Sequence, residues 1–348
     1  MRRVPLLARP RVGAIALGAL AFAGCSTPPR DRGDVDHGVL SLAVDNDSYS
    51  LDDGNYSNGL ELAWTSPALA SYAEDCGLRR AADAVGDFLG LARHERRVAL
   101  SLGQLIFTPE NLRDPIPPHY AHPYAGILFV DTSLLAFDAE PVTGSTGVTL
   151  RLGLVGESSM AEDVQRRLHK IFGAERPRGW DTQLEDEPLL NLGLERHSRL
   201  VSGSLGSDLC YDLTGSLGAA LGTYFTGASA GLGARIGPDL PRDVGGRARR
   251  TGLGSVTFVE RPDRDEWQRY VFVEADGFGV ARFLPLDGGV FHDGRSTEKE
   301  DFVGTLTLGF ALAHRPFTLR LSYTLLSDTY EAQELSGQYG TIALGWFL

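Results

Sequence analysis

Apolar and polar residues alternate with period two along most of the chain from residue 39 onward. Successive side chains of a strand point to opposite faces of a sheet, so each alternating segment predicts a strand with one apolar face. About twelve strands are predicted, and the connections between them contain the Pro, Gly, Asp and Asn that turns require. The segments are Val39–Val44, Leu60–Trp64, Val98–Leu102, Gly126–Phe137, Val148–Val155, Leu190–Leu194, two within residues 205–236, Tyr270–Glu274, Phe302–Ala313, Phe317–Leu325 and Tyr339–Phe347.

Such a sheet either closes into a membrane barrel or forms a soluble sandwich. A membrane strand needs about 9 to 11 residues, with apolar side chains toward lipid and small or polar ones toward the lumen. Phe302–Ala313 and Phe317–Leu325 fit this description. Residues 345–348, Gly-Trp-Phe-Leu, resemble the aromatic-terminated last strand of bacterial outer-membrane proteins, although Phe is penultimate here. An all-β, transmembrane, antiparallel up-and-down barrel is therefore favoured over a soluble secreted β protein.

Residues 1–25 have the pattern of a signal peptide. Arg2 and Arg3 precede a short apolar stretch, and small residues follow it at the expected cleavage site. Two interpretations remain open, since cleavage after Ala23 would be ordinary, whereas processing before Cys25 would produce a lipidated anchor. Residues 26–348 are predicted to form a single barrel domain.

Three features of the mature chain stand apart from the alternation. Residues 71–94 look helical and would form an insertion at the periplasmic end. Leu213–Ala234 is uncharged but contains six Gly, so two Gly-rich strands joined by a turn are a better interpretation than a transmembrane helix. Cys76 and Cys210 either pair in an oxidising compartment or remain two separate thiols.

The amino-acid composition excludes several other classes of protein. The 348 residues include 42 Gly but only 18 Pro, with no Gly-X-Y period, which excludes collagen and disfavours low-complexity disorder. Glycine in a closed barrel would leave space on the lumen side. The 33 Lys and Arg against 45 Asp and Glu leave a net charge of -12, so the chain has no electrostatic reason to bind nucleic acid.

Helical spacing replaces the alternation after residue 158. Ser159 to Glu162 match a capping box, and apolar residues then recur at helical spacing up to Gly173, which predicts a helix of about four turns. Gln165 and His169 are four residues apart and project from the same face. His169 lies beside the apolar stripe, where it either faces a lipid-binding crevice or makes an ordinary packing contact.

Several segments, read in order, resemble the outer-membrane lipid A deacylase family, whose members remove the 3'-linked acyloxyacyl group of lipid A. The resemblance covers residues 38 to 200, and beyond them only the strand pattern is shared. No single motif is specific, but their order and spacing are. The segments are residues 44–47 (VDND), 53–59 (DGNYSNG), 103–109 (GQLIFTP), 122–126 (HPYAG) and the run from 153 to 183, which includes LHKIFGAE.

The resemblance implies a twelve-stranded barrel with a calcium-dependent active site near the outer rim, between the barrel wall and a loop helix. Carried over by motif, the Asn-Asp pair of the family falls on Asn46 and Asp47, and its hydroxyl position falls on Ser57. The catalytic His falls on His169, and the acidic residue after it falls on Glu175.

These residue types suit ester hydrolysis. A neutral imidazole can take a proton from water near physiological pH, so His169 is the candidate general base and water the nucleophile. Asp47 and Glu175 carry the oxygen donors that Ca²⁺ prefers, unless this Asp-rich region is only a solvated loop. Asn46 would be a metal ligand or an oxyanion donor, and Ser57 would orient substrate, stabilise the oxyanion or serve as a turn hydroxyl. Which carboxylate binds the metal and which orients the histidine stays open.

Topology argues independently for one site. If the N-terminus lies in the periplasm and the strands run up and down, the loops after strands one, three and five share the outer end. The five candidate residues span about 130 residues of sequence and would converge there.

Five cations surround the predicted helix in this acidic chain. They form either a solvated charged face or a group that holds the phosphates of lipid A. The cations are Arg166, Arg167, Lys170, Arg176 and Arg178.

The Gly-x-Ser-x-Gly string at residues 227–231 lies in an alternating region and lacks the strand-turn-helix setting of a nucleophilic serine.

The principal hypothesis is a monomeric esterase of the bacterial outer membrane, with its active site facing the outer leaflet. It would use Ca²⁺ to hydrolyse the 3'-acyloxyacyl ester of lipid A in lipopolysaccharide. Two alternatives remain, namely a structural or pore-type barrel that has kept the scaffold, and an esterase that acts on phospholipid.

Overall fold

The computed structural model describes residues 38–47, 55–69, 84, 95–138, 143–238, 240–241, 243–244, 267–335 and 337–348. Within them, twelve antiparallel strands form one closed barrel, in which sequence neighbours pair and β12 pairs with β1. The predicted up-and-down barrel is confirmed. The strands are β1 Val39–Asn46, β2 Asn55–Thr65, β3 Glu95–Thr108, β4 Ala125–Phe137, β5 Gly144–Val155, β6 Glu187–Leu205, β7 Leu209–Gly222, β8 Phe225–Gly237, β9 Gln268–Phe283, β10 Phe302–His314, β11 Phe317–Leu326 and β12 Gln338–Phe347.

The period-two pattern places leucines outside the barrel and polar residues inside it. On β7, Leu213 and Leu217 are exposed, whereas Asp212 and Thr214 are buried. Leucines exposed in this way on most strands form a band that lipid covers favourably. The uncharged stretch of residues 213–234 belongs to β7 and β8, so the prediction of two Gly-rich strands is confirmed.

The start of β1 and the end of β12 lie at the same end of the barrel, called the terminal end, because the number of strands is even. The opposite end, called the rim below, carries the connections that follow β1, β3, β5, β7, β9 and β11. At the terminal end, Trp346 packs edge-on against Phe317 with ring centroids 4.9 Å apart. Outward aromatic residues at this level are typical of the girdle that a barrel presents at the membrane interface.

Two α-helices are described, and both lie in rim connections: α1 at Ala161–Phe172 and α2 at Leu284–Asp287. No helix in the described part of the chain is long and apolar enough to cross a membrane. Two predicted segments lie outside the described residues. The first is the signal peptide, residues 1–25, with Cys25. The second is the 71–94 insertion with Cys76, of which only Ala84 is described. Cys210 is half-buried on β7, and the two alternatives, pairing with Cys76 or two separate thiols, both stay open.

Paired charges occupy the lumen. Arg151 binds Asp131 through two nitrogens at 2.8 Å, and both side chains are buried. Arg320 binds Glu274 at 3.0 Å, and its guanidinium lies 3.7 Å from the centre of the Phe272 ring. Buried charges are stable when they are paired and hydrogen-bonded, and these pairs fill space that water would otherwise occupy.

An aromatic cluster bridges the lumen near the rim. Phe107 on β3 packs edge-on against Phe283 on β9 with centroids 5.6 Å apart, and Tyr224 contacts the same Phe283 ring. Six steps separate β3 from β9 in the ring of twelve strands, so these side chains meet from opposite walls. The lumen is therefore filled at this level, and the candidate site has to be sought elsewhere.

Candidate active site

The outer wall of the barrel is covered just below the rim. On β3, even-numbered side chains point outward, and Leu102 is 53% exposed there. Gln104 and Ile106 share this face but are buried, because the connection between β5 and β6 folds back over them. Ile106 packs in a cluster with Tyr124 and Trp180, on the side of the wall away from the lumen. The connection that contains α1 therefore packs directly against the outer wall at this level.

Helix α1 begins later than the capping pattern predicted. Ser159 ends a short 3-10 turn, and its hydroxyl donates to a preceding main-chain carbonyl at 2.6 Å. Met160, at φ 58°, is the N-cap, and no side chain caps the helix. The predicted capping box and the four-turn length are therefore wrong, since α1 has twelve residues, or just over three turns. Gly173 ends the helix in the left-handed conformation at φ 70°, as predicted.

Three features hold α1 against the wall. The side-chain amide of Gln104 donates to the main-chain oxygen of Ser159 at 2.7 Å. The indole of Trp180 donates to the buried side chain of Gln165 at 2.8 Å. At Gly126 on β4, a Cβ atom would overlap the first residue of α1, so only glycine permits this close approach.

His169 lies one turn beyond Gln165 on the same face of α1 and is half-buried. Its Nδ1 lies at hydrogen-bonding distance from the main-chain oxygen of Glu175. A carbonyl oxygen only accepts, so Nδ1 carries a proton, and the neutral tautomer compatible with this bond has its lone pair on Nε2. The carboxylate of Glu175 is engaged elsewhere, at 2.5 Å from Nε of Arg113 on the β3–β4 connection. The main chain of Glu175, rather than a carboxylate, orients the histidine.

Ser57 is the extra residue of a β-bulge. Tyr56 pairs with Phe107, and Asn58 pairs with Ile106, so Ser57 has no opposite residue on β3. A bulge redirects the side chain of the unpaired residue, and bulges are frequent beside active sites. Here the hydroxyl of Ser57 meets that of Thr108 at 2.6 Å, on the covered outer wall.

The two aspartates that flank Asn46 have different surroundings. Asp45 points into the lumen and accepts hydrogen bonds from Tyr56 at 2.6 Å and Thr341 at 2.9 Å. Asp47 follows the last residue of β1 and is buried at the rim. Asn46 donates from Nδ2 to the main-chain oxygen of Ser57 at 3.3 Å. Asp45 therefore stabilises the inside of the barrel, whereas Asn46 and Asp47 lie at the rim beside Ser57.

The surroundings of Asp47 suit a calcium ligand better than those of Glu175 do. Among the described residues, no three His, Cys, Asp or Glu side chains cluster closely enough to hold a metal ion. Calcium also accepts amide and main-chain carbonyls and water, so Asp47 with Asn46 is a suitable start for its coordination shell. Glu175 would first have to leave the ion pair with Arg113.

The five predicted cations surround α1. Arg166 forms an ion pair with Glu162 one turn earlier on α1, at 2.5 Å. Arg113 adds a sixth cation that sequence reasoning missed, because its only signal is a position between two of the motifs. The other four cations, Arg167, Lys170, Arg176 and Arg178, are exposed.

Strand β3 brings the candidates to one wall. Asn46 and Ser57 form one group, which Thr108 joins through the Ser57 hydroxyl. His169 and Glu175 form a second group, whose connection is tied to the same strand through Gln104. Gln104 and Thr108 both lie in the 103–109 motif, but the sequence of that motif did not predict which residues they would contact.

A closed barrel with a lipid-facing leucine band and a filled lumen is an outer-membrane β-barrel protein. The chain belongs to the LpxR family, because the family model described as "Outer membrane protein LpxR" matches residues 13–348.

Two solved structures are among those similar to the chain. "LpxR from Salmonella typhimurium" is 15% identical, covers 89% of this chain and 100% of its own, and superposes with a TM-score of 0.70. The β domain of the Bordetella autotransporter BrkA is 10% identical, covers 90% of this chain and 99% of its own, and has a TM-score of 0.43. At these identities the first similarity shows the fold alone. No curated protein sequence matches the chain.

Proposed function

We propose that the protein is a Ca²⁺-dependent lipid A 3'-O-deacylase, which hydrolyses the 3'-acyloxyacyl ester in the outer leaflet of the outer membrane. Membership of the LpxR family supports a role on lipid A. The observation that carries the proposal is the position of His169, on a helix that covers the outer wall rather than the lumen. A membrane lipid would reach this outer side of the wall laterally, without leaving the bilayer.

The tautomer of His169 suits a general base. With its proton on Nδ1 and the lone pair on Nε2, the imidazole takes a proton from water, and the hydroxide oxygen attacks the ester carbonyl carbon. The bond from that carbon to the 3' oxygen of the sugar then breaks, and the leaving oxygen receives the proton from Nε2. The products are a free acyloxyacyl fatty acid and a lipid A with a 3' hydroxyl.

Asn46 and Asp47 would hold Ca²⁺, and Glu175 would join them if substrate displaced Arg113. When bound, the metal supplies positive charge for the oxyanion that forms on attack. The hydroxyl of Ser57, held in place by Thr108, would bind the substrate ester or the same oxyanion. Asn46, Asp47 and Ser57 lie on or next to strands, which makes the positions of their oxygen atoms reproducible.

The exposed cations around α1 would bind the phosphates of lipid A. Arg167 and Lys170 are exposed on α1, and Arg176 and Arg178 are exposed on the segment that follows it. Ion pairs between arginine and phosphate are short and directional, so they would set the register of the sugar against the site.

Mass spectrometry of lipid A tests the proposal. Cells that express the protein should lose the mass of the 3' acyloxyacyl group, and His169→Gln should lower the rate by about 10²- to 10⁴-fold, since it removes the base. His314→Gln, at the terminal end of β10, is the matched control and should stay active. Chelation should abolish the activity, and added Ca²⁺ should restore it.

Two results would contradict the proposal. An intact 3' group in cells that contain the folded barrel would exclude deacylation of lipid A. Lysophospholipid in place of deacylated lipid A would identify the alternative esterase. Heat-modifiable migration on gels reports that the barrel has folded in each variant.

A further inference from the structure

The connection between β11 and β12 reaches across the rim to the start of β2. The hydroxyl of Tyr330 in this connection donates to Oδ1 of Asn55 at 3.0 Å, although the two residues are 275 positions apart. Asn55 also donates from Nδ2 to Glu110, at 3.4 Å. Tyr330 and Asn55 are 2% and 7% exposed, so water competes little for these bonds.

Asn55 has an unusual backbone conformation. Its φ is 70°, in the left-handed region that residues with a Cβ rarely adopt. Asparagine tolerates this region better than most residues when its side chain is hydrogen-bonded. Both polar ends of the Asn55 side chain are held, by Tyr330 and by Glu110, which stabilises a conformation that the chain would otherwise leave.

The bulge at Ser57 lies two residues after Asn55 on β2. Asn55 pairs with Thr108 and Tyr56 with Phe107, and the register then shifts by one residue at Ser57. The backbone angle at Asn55 therefore sets the direction in which β2 enters the bulge. A different angle at this point would turn Ser57 away from Thr108 and from the outer wall.

Tyr330 and Glu110 are themselves held by other rim connections. Tyr330 forms an isolated bridge with Lys299, and its ring packs edge-on against His122 with centroids 5.8 Å apart. The carboxylate of Glu110 accepts main-chain N–H groups of the β11–β12 connection at residues 334 and 335, at 3.2 and 3.1 Å. Three rim connections thus act together on one backbone angle.

We propose that Tyr330 and Glu110 are positioning residues, which hold Asn55 in the left-handed conformation and so aim the Ser57 hydroxyl at the substrate. The inference rests on the proposed function, in which Ser57 binds the reacting ester. Burial and the neighbouring carboxylate of Glu110 raise the pKa of Tyr330, so its hydroxyl stays protonated and remains a donor.

Activity measurements with three variants test the inference. Tyr330→Phe keeps the ring against His122 but removes the bond to Asn55, and it should lower kcat by about 10- to 100-fold with little change in KM. Tyr323→Phe removes a hydroxyl that donates to Gln338 at 2.7 Å rather than to Asn55, and it should be neutral. Adding Asn55→Gly to Tyr330→Phe should restore most of the lost kcat, because glycine adopts this φ without side-chain support.

Recovery of kcat by Asn55→Gly distinguishes a positioning role of Tyr330 from a role in stability alone. Asn55→Gly removes further contacts, so it would make a merely destabilised rim worse. In the otherwise unchanged protein, Asn55→Gly should stay active, whereas Asn55→Ala should lose activity, because a Cβ without hydrogen bonds disfavours positive φ. Wild-type kcat in Tyr330→Phe, or no rescue by glycine, would overturn the inference.

A readout without catalysis keeps this test separate from the proposed function. Hydrogen exchange of the peptide that contains residues 55–60 should accelerate in Tyr330→Phe and return toward the wild-type rate with Asn55→Gly. Tyr323→Phe should leave it unchanged. Unchanged exchange in Tyr330→Phe contradicts the inference even if the protein deacylates lipid A, and the accelerated exchange would support it even if lipid A proves not to be the substrate.

Discussion

His122 shows how burial sets the protonation of one residue at the rim. Its ring stacks on Phe107 with centroids 5.7 Å apart and is enclosed by the edge of Tyr330. Burial lowers the pKa of His122 to about 4, although the hydrogen bond from Nδ1 to the oxygen of Pro123 opposes the shift. The imidazole is therefore neutral in the folded protein at physiological pH, and it serves packing rather than proton transfer.

Acid should weaken the fold through this residue. Between pH 6.5 and 4 the unfolded chain binds a proton at His122 that the folded protein does not, so the free energy of unfolding should fall as the pH falls. The loss should reach about 3 kcal/mol at pH 4, since each pKa unit corresponds to about 1.4 kcal/mol. Unfolding by urea in detergent at several pH values measures it.

A matched pair of variants isolates the contribution of His122. His122→Gln cannot titrate, so its stability should change less between pH 6.5 and 4 than that of the wild type. His119→Gln changes an exposed histidine in the same connection and should keep the wild-type pH dependence. Equal pH dependence in all three proteins would show that His122 is not the group responsible.

Among the elements, α1 matters because its connection covers a stretch of the outer wall. Its attachment depends on glycine at position 126, where the wall and the start of the helix approach closely. The last turn of the helix presents His169, and the left-handed Gly173 then turns the chain back so that Glu175 can accept from the imidazole. The helix and its C-terminal turn therefore form one unit that carries His169.

Gly126→Ala should displace this unit. A Cβ at this position overlaps Ala161 and the Ser159 hydroxyl, so α1 must shift away from the wall. A misplacement of about 1 Å at a catalytic group costs up to roughly 100-fold in rate, and deacylation should fall accordingly. The rate of 3' acyl release from lipid A measures it.

Gly277→Ala provides the control for this substitution. Gly277 lies on β9, and a Cβ there would have no neighbour within 4 Å. This variant should retain both activity and heat-modifiable migration. Wild-type activity in folded Gly126→Ala would mean that the position of α1 does not limit catalysis.

At the scale of the whole molecule, the barrel is a scaffold with a filled interior. Ion pairs such as Arg151 with Asp131 occupy the lumen, and the contact between Phe107 and Phe283 joins opposite walls near the rim. A passive pore needs a continuous water path along the same axis. The packing therefore favours the enzyme hypothesis over the pore-type barrel.

Conductance measurements test this conclusion. The wild-type protein in planar bilayers should show no steady open-channel current, because side chains fill the lumen. The double variant Phe107→Ala and Phe283→Ala removes the contact across the rim and should raise conductance or the frequency of brief openings. Steady porin-like current in the wild type would instead support the pore hypothesis.

Much of the fold could be predicted because it depends on local periodicity. Alternation with period two predicted the strands, glycine content distinguished β7 and β8 from a membrane helix, and Gly173 marked the end of α1. The capping box at Ser159 was wrong, because the serine hydroxyl found a carbonyl partner in the preceding turn. Sequence spacing identifies a compatible pattern but does not decide between competing hydrogen-bond partners.

The chain by itself determined that strands would close around a polar interior, and that the candidate residues would meet at one end, because strand direction alternates with each connection. Only the tertiary structure decided that Ser57 lies on a bulge, that the main chain of Glu175 orients His169, and that Tyr330 supports Asn55. These contacts join residues separated by as many as 275 positions, and periodicity carries no information about such pairs. They depend on the register of β2 with β3 and on how the rim connections pack over the closed barrel.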